Sequence, residues 1–183
     1  MNNIKIYKNI LTKNEIDFIL KGISSIDEWD LGGGKFWNNK SLSPLSLQEN
    51  NKKEISILLL DIRDRMEKTI KDLYGIDKKI YADLIQIARW FPNTSLPVHT
   101  DVEGGEWFHH REYAGIIYLN NDYEGGQTYY PEYNFKTSPE PGMLVTHTGD
   151  TLHGIEEIHN KIRYTINSFW TTDEKYENKY DII

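Results

Sequence analysis

Five short runs rich in β-branched and aromatic residues follow one another in the C-terminal half of the chain: IYADLIQIARWF, YAGIIYLN, QTYYPEY, GMLVTHT and IRYTINSFW. Each is bounded by Gly, Pro, Asn or Asp, the residues that stop strands and make turns. They read as an antiparallel region of about six strands or more over roughly 100 residues. A sheet of that extent must close on itself or fold into two layers, so a jelly roll or barrel is expected.

The first 75 residues carry a different signal. Ile4 and Ile6 alternate in a short apolar strand. LTKNEIDFILKGI follows with a Thr12-x-x-Glu15 capping pattern and an Ile16, Ile19, Leu20 stripe, which predicts a helix. The glycines and asparagines of residues 30–44 predict a loop. From about Ser46 to Tyr74 the apolar residues Ile55, Leu59, Ile62, Met66, Ile70 and Leu73 recur every three or four positions, and Gly75 ends the pattern. That spacing predicts one long helix with a single face laid on a sheet. Helices first and strands after imply an α+β arrangement, a double-stranded β-helix with N-terminal helices packed on its major sheet. With 183 residues, one domain is expected, with helical support over about 1–75 and a jelly-roll core over about 80–172.

Composition narrows the chemistry. The chain has no cysteine, so a metal must be held by His, Asp or Glu. Its net charge of −7 argues against a nucleic-acid partner. The N-terminus lacks a signal-peptide pattern, and no apolar run reaches the roughly 18 residues of a membrane span. A cytoplasmic protein with no membrane partner is expected.

Within LPVHTDVEGG, His99 and Asp101 stand two apart. On extended backbone, residues i and i+2 point the same way, so an imidazole and a carboxylate converge on one point. A third ligand has to come from a neighbouring strand, and His147, His153 and His159 are the candidates. Two histidines and one carboxylate leave open positions on an octahedral ion, the arrangement of non-heme Fe(II) oxygenases.

These residues sit in an order that resembles the Fe(II)/2-oxoglutarate dioxygenases, specifically their prolyl 4-hydroxylase-like branch. The resemblance spans about residues 84–170. It comprises the strand LIQIARW, His99-Thr100-Asp101, Tyr118-Leu119-Asn120, Gly125-Gly126-Gln127-Thr128, PEPGMLV, His153-Gly154 and Arg163. It implies Fe(II) held by His99, Asp101 and His153, because His153 precedes a glycine and Arg163 follows ten residues later. His147 and His159 have no basic residue at that offset and read as a strand and a turn residue. The resemblance also implies 2-oxoglutarate as cosubstrate. Arg163 would grip its distal carboxylate through a planar guanidinium fork, and Tyr118 would add a hydrogen bond. Dioxygen is the oxidant, with ascorbate as an auxiliary reductant. The implied reaction couples oxidative decarboxylation of 2-oxoglutarate to succinate with hydroxylation, the substrate being a peptidyl proline in a peptide or protein.

The chain departs from that pattern in places. Trp90 stands where the family often has a cosubstrate tyrosine, offering an indole N–H or simply core packing. Phe169 then Trp170 occupy the place of a tryptophan. Strand alternation from Arg163 turns Thr165, Asn167 and Phe169 inward and Trp170 outward, so Asn167 is expected to line the cosubstrate pocket. His109, His110 and Arg111 lie in a Gly-rich loop that reads as solvated or as a lid, and Trp37 with residues 30–44 is a second lid candidate. Tyr129, Tyr130 and Tyr133 fit a peptide surface or sheet packing. The alternatives are an oxygenase of the same fold acting on a free amino acid or small metabolite, or a non-catalytic jelly-roll binding module. RYTINSFW lacks the Asn and final Arg of the base-repair signature, which discounts a nucleobase substrate.

Overall fold

The computed structural model describes residues 3–31, 39–103 and 108–180. β1 (Ile4–Tyr7) leads into α1 (Lys13–Ile23), then β2 (Asp30–Leu31), β3 (Asn39–Leu42), α2 (Pro44–Glu49) and α3 (Lys53–Tyr74). Eight strands follow: β4 (Tyr81–Trp90), β5 (Leu96–His99), β6 (Tyr113–Tyr118), β7 (Thr128–Tyr130), β8 (Phe135–Lys136), β9 (Leu144–Thr148), β10 (His153–Ile155) and β11 (Arg163–Thr171). They form two antiparallel sheets. The larger has the order β1-β9-β6-β11-β4-β3-β2 and the smaller β5-β10-β7-β8. This is the expected α+β double-stranded β-helix.

The helices form where the sequence supplies caps and stripes. Thr12 and Glu15 make the reciprocal capping box of α1. Ile16, Ile19, Ile23, Ile55, Leu59, Ile62, Met66 and Ile70 bury one continuous face against Ile85, Ile87, Ile166 and Trp170 of the larger sheet. Gly75 closes α3 in the left-handed region that a side chain would disfavour. The helix expected over 46–74 is instead broken into α2 and α3. Ser43 caps α2, with Pro44 in its first turn, and Asn51 takes a positive φ of 58° between the two. An apolar stripe reports burial, not the conformation of the polar residues joining two packed segments.

A second correction concerns the N-terminal region. Residues 30–31 and 39–42 of the expected loop pair as a hairpin, and β3 continues onto β4. β1 covers the opposite edge by pairing with β9. The region of helical support thus contributes three strands to the larger sheet. Ile6 of β1 is 43% exposed, so only Ile4 of the alternating pair enters the core. Trp37 lies outside the described residues. No helix is long and apolar enough to cross a membrane among the described residues.

Candidate metal and cosubstrate site

The smaller sheet brings the metal-ligand candidates together. His99 ends β5, His153 begins β10, and the two are direct partners in the ladder. The Asp101 backbone N–H donates to Gly149 O at 2.9 Å, which turns its carboxylate back toward both rings. Asp101 Oδ1 lies 3.9 Å from His99 Nε2 and 3.8 Å from His153 Nε2. One ligand atom from each residue falls within 4.8 Å of the others. His99 Nδ1 donates to Pro97 O and His153 Nδ1 donates to Thr151 O, each at 2.9 Å. A carbonyl only accepts, so both rings carry the proton on Nδ1 and turn the lone pair of Nε2 to the common point. Two neutral imidazole nitrogens and a carboxylate oxygen, with no thiolate, fit a divalent first-row ion.

Burial acts on both coupled groups. It lowers the pKa of His153 to about 3, helped by His147 and His99, and so keeps the ring neutral. Burial opposes the charge on Asp101, but the imidazoles of His153, His147 and His99 outweigh it and hold the carboxyl below its ordinary value.

His147 is fully buried on β9 and takes a different role. Its Nε2 faces the other carboxylate oxygen, Asp101 Oδ2, at 2.9 Å, and its Nδ1 lies 3.0 Å from the Tyr130 hydroxyl. Burial pushes the Tyr130 phenol well above its ordinary value. His159 lies away from the group, exposed beside Glu157.

The cavity next to the triad is lined by Trp90, Ile116, Arg163, Asn167 and Phe169, among others. Arg163 is 1% exposed at the start of β11. Asn120 fixes it there: its side chain accepts from Tyr164 N and donates to Ile162 O, both at 2.8 Å, on either side of the arginine. Gly126 is needed nearby, with φ +66° and only 3.3 Å between an added Cβ and Arg163 Cδ. The guanidinium lies 5.2 Å from the Tyr118 ring centroid, and Nη2 donates to Thr128 Oγ1 at 3.3 Å. Among the described residues no carboxylate pairs with it, and Nε has no hydrogen-bond partner. A planar guanidinium in that state has the geometry and charge to take a carboxylate.

Tyr118 is fully buried beside Arg163, but its hydroxyl already meets Thr128 Oγ1 at 2.8 Å and Thr137 Oγ1 at 3.0 Å. Trp90 is fully buried opposite Arg163 in the β4–β11 ladder. Asn167 and Phe169 line the cavity, with Asn167 Oδ1 unpartnered among the described residues, while Trp170 packs against the helices. Tyr130 is interior, not surface.

Sequence reading missed Thr128, Thr137, Asn120 and the Tyr130–His147 pair. Thr128 and Asn120 stood inside the Gly-Gly-Gln-Thr and Tyr-Leu-Asn motifs without a role. It also left His110 and Arg111 undecided. His110 Nε2 and Arg111 Nε each meet Asp83 Oδ2 at 2.8 Å, and Arg111 lies 3.7 Å over the Phe169 ring. Residues 104–107 of that loop lie outside the described residues.

No family profile matches the chain. Among curated proteins it is similar to prolyl 3-hydroxylase 1 of Rattus norvegicus, 21% identical over 174 residues that make up 79% of this chain and 24% of the relative. The chain thus spans about a quarter of that relative's length. Among solved structures it is similar to a 2OG-Fe(II) oxygenase family oxidoreductase from Burkholderia pseudomallei (TM-score 0.70, 14% identity, 93% of this chain and 85% of that one). It is also similar to the viral collagen prolyl hydroxylase of Paramecium Bursaria Chlorella virus-1, solved as a 2OG complex (TM-score 0.69, 15% identity, 94% and 97%). The two sheets, the helices on the larger one and these neighbours together give the chain the double-stranded β-helix fold of the 2OG-Fe(II) oxygenases.

Proposed function

We propose that the chain, acting as one domain, is an Fe(II)- and 2-oxoglutarate-dependent hydroxylase whose substrate is a peptidyl proline. One observation carries the reading: Asp101 and His153 of the compact His-Asp-His group line the same cavity as a buried arginine that has no carboxylate partner among the described residues. His99, Asp101 and His153 would hold the iron. Bound Fe(II), with 2-oxoglutarate and dioxygen, supplies oxidative decarboxylation to succinate coupled to hydroxylation of a substrate C–H bond.

The chain's own residues prepare that chemistry. Pro97 O and Thr151 O hold the two imidazoles in the ligating tautomer. Arg163, kept in register by Asn120, binds the distal carboxylate of 2-oxoglutarate. Thr128 and Tyr118 lie against the same guanidinium. Trp90, Asn167 and Phe169 wall the space that would hold the cosubstrate. The peptide reading is supported by the names of the collagen prolyl hydroxylase and prolyl 3-hydroxylase relatives.

The test is succinate release from 2-oxoglutarate with Fe(II), with and without a proline-rich peptide library. Release that rises with peptide, together with a hydroxyproline product, is expected. A folded protein that releases no succinate under any condition overturns the enzyme reading. Turnover raised only by free amino acids or small metabolites overturns the peptide reading alone.

A further inference from the structure

The triad accounts for one oxygen of Asp101. The other, Oδ2, sits 2.9 Å from His147 Nε2. His147 is a costly residue to place there: its imidazole is fully buried, in a strand whose neighbours Leu144 and Val145 are core. Burying a polar ring is tolerated only when its nitrogens are hydrogen-bonded, and both are. An ionised carboxylate only accepts, so the proton between them belongs to Nε2, and Nδ1 is left to accept from the Tyr130 hydroxyl at 3.0 Å. This is the opposite tautomer from His99 and His153. It removes the Nε2 lone pair of His147 from any ligand role and turns the ring into a donor.

The placement is specific. β1 and β6 fix His147 in the ladder as the partner of Ile4 and Ala114. The ring packs against His153 with centroids 4.2 Å apart, and Tyr130 meets the edge of His147 at 5.5 Å. Tyr130 is itself fully buried. The row Tyr130–His147–Asp101 therefore runs through buried side chains and ends at the carboxylate.

From this geometry we infer that His147, oriented by Tyr130, is a positioning residue that holds Asp101 as a one-oxygen metal ligand. A free carboxylate can rotate and offer both oxygens to one ion. The hydrogen bond to Oδ2 prevents this and leaves Oδ1 alone facing His99 and His153. The coordination position that a second oxygen would fill stays available to cosubstrate or oxidant. The inference rests on the proposed metal site.

The experiment uses Mn(II) as the probe, with the wild-type chain and the variants His147→Phe, His147→Gln and Tyr130→Phe. Affinity is measured by titration. Water-proton relaxivity of the Mn(II) protein counts the waters on the ion. His147→Phe removes the donor, so affinity is expected to weaken by about 10–100-fold, the usual cost of losing an outer partner of a ligand. Relaxivity is expected to fall by about a third, as Asp101 takes one of about three open positions on an octahedral ion. His147→Gln keeps an N–H at the Nε2 position and should return both readouts to near the wild-type values. Tyr130→Phe removes one hydroxyl and should move both in the same direction, by less. If His147→Phe does not fold, Tyr130→Phe carries the test. Wild-type affinity and relaxivity in the folded variant overturn the inference. Absence of Mn(II) binding by the wild-type chain overturns instead the metal-site reading on which it rests.

Discussion

The two faces of β11 are built from one stretch of nine residues and differ in what they leave unfinished. On the outer face, Ile166 and Trp170 join the helix-packed core. The polar group there is satisfied from within: Trp170 Nε1 donates to Ser168 Oγ at 2.8 Å. On the inner face, Arg163 Nε, Thr165 Oγ1 and Asn167 Oδ1 are buried without partners among the described residues. A chain normally pairs its buried polar groups, and those it leaves unpaired concentrate where something else binds. The outer face is where the protein acquires stability, and the inner face is where stability is given up for recognition.

That contrast can be broken most severely at the triad. Asp101→Ala should abolish metal-dependent succinate release while the circular dichroism of the chain is kept; surviving turnover would refute the ligand assignment. On the outer face, Ile166→Ala removes a fully buried side chain and should cost about 2–5 kcal/mol in denaturant unfolding. Its Mn(II) affinity should stay at the wild-type value, and a parallel loss would mean that the two faces are not independent. The metal-free protein should also lose stability as pH falls from about 6.5 toward 3. His153 binds its proton less readily when folded, with a pKa lowered to about 3, so acid favours the unfolded chain in that window. Each tenfold weakening of proton binding on folding corresponds to about 1.4 kcal/mol, and a flat unfolding profile between those pH values would contradict the burial of that ring.

Smaller effects sharpen the picture of the inner face. Arg163→Ala should raise the 2-oxoglutarate requirement by about 10–100-fold, the worth of hydrogen bonds to a charged group, with little effect on Mn(II) affinity. An unchanged requirement would remove Arg163 from the cosubstrate site. Tyr118→Phe should raise it only by about 2–5-fold, because the hydroxyl is shared with Thr128 and Thr137 and its loss is worth about one neutral hydrogen bond. An effect as large as that of Arg163→Ala would assign the phenol a direct contact.

Much of this was legible in the sequence, and the reason is spacing. His99 and Asp101 are two apart, Arg163 follows His153 by ten, and the strand runs are marked by their own turn residues. Local rules suffice for such features, as they do for the capping box of α1. What escaped depends on contacts between distant segments. Asp101 and His147 are separated by 46 positions, and Asp83 is 27 and 28 positions from His110 and Arg111. No periodicity marks either meeting. The strands of 30–42 escaped because Gly and Asn dominate the stretch between them, and the pairing of β3 on the long edge of β4 overrides that propensity.

The pairing of His99 with His153 across one ladder also bears on how such a protein varies over generations. The separation of the two imidazoles is dictated by strand spacing rather than by the length of chain between them. The loops that join strands in that interval can therefore be lengthened or shortened, altering what the entrance admits, while the two rings stay where they are. Inheritance of the chemistry is thereby uncoupled from experiment with the substrate.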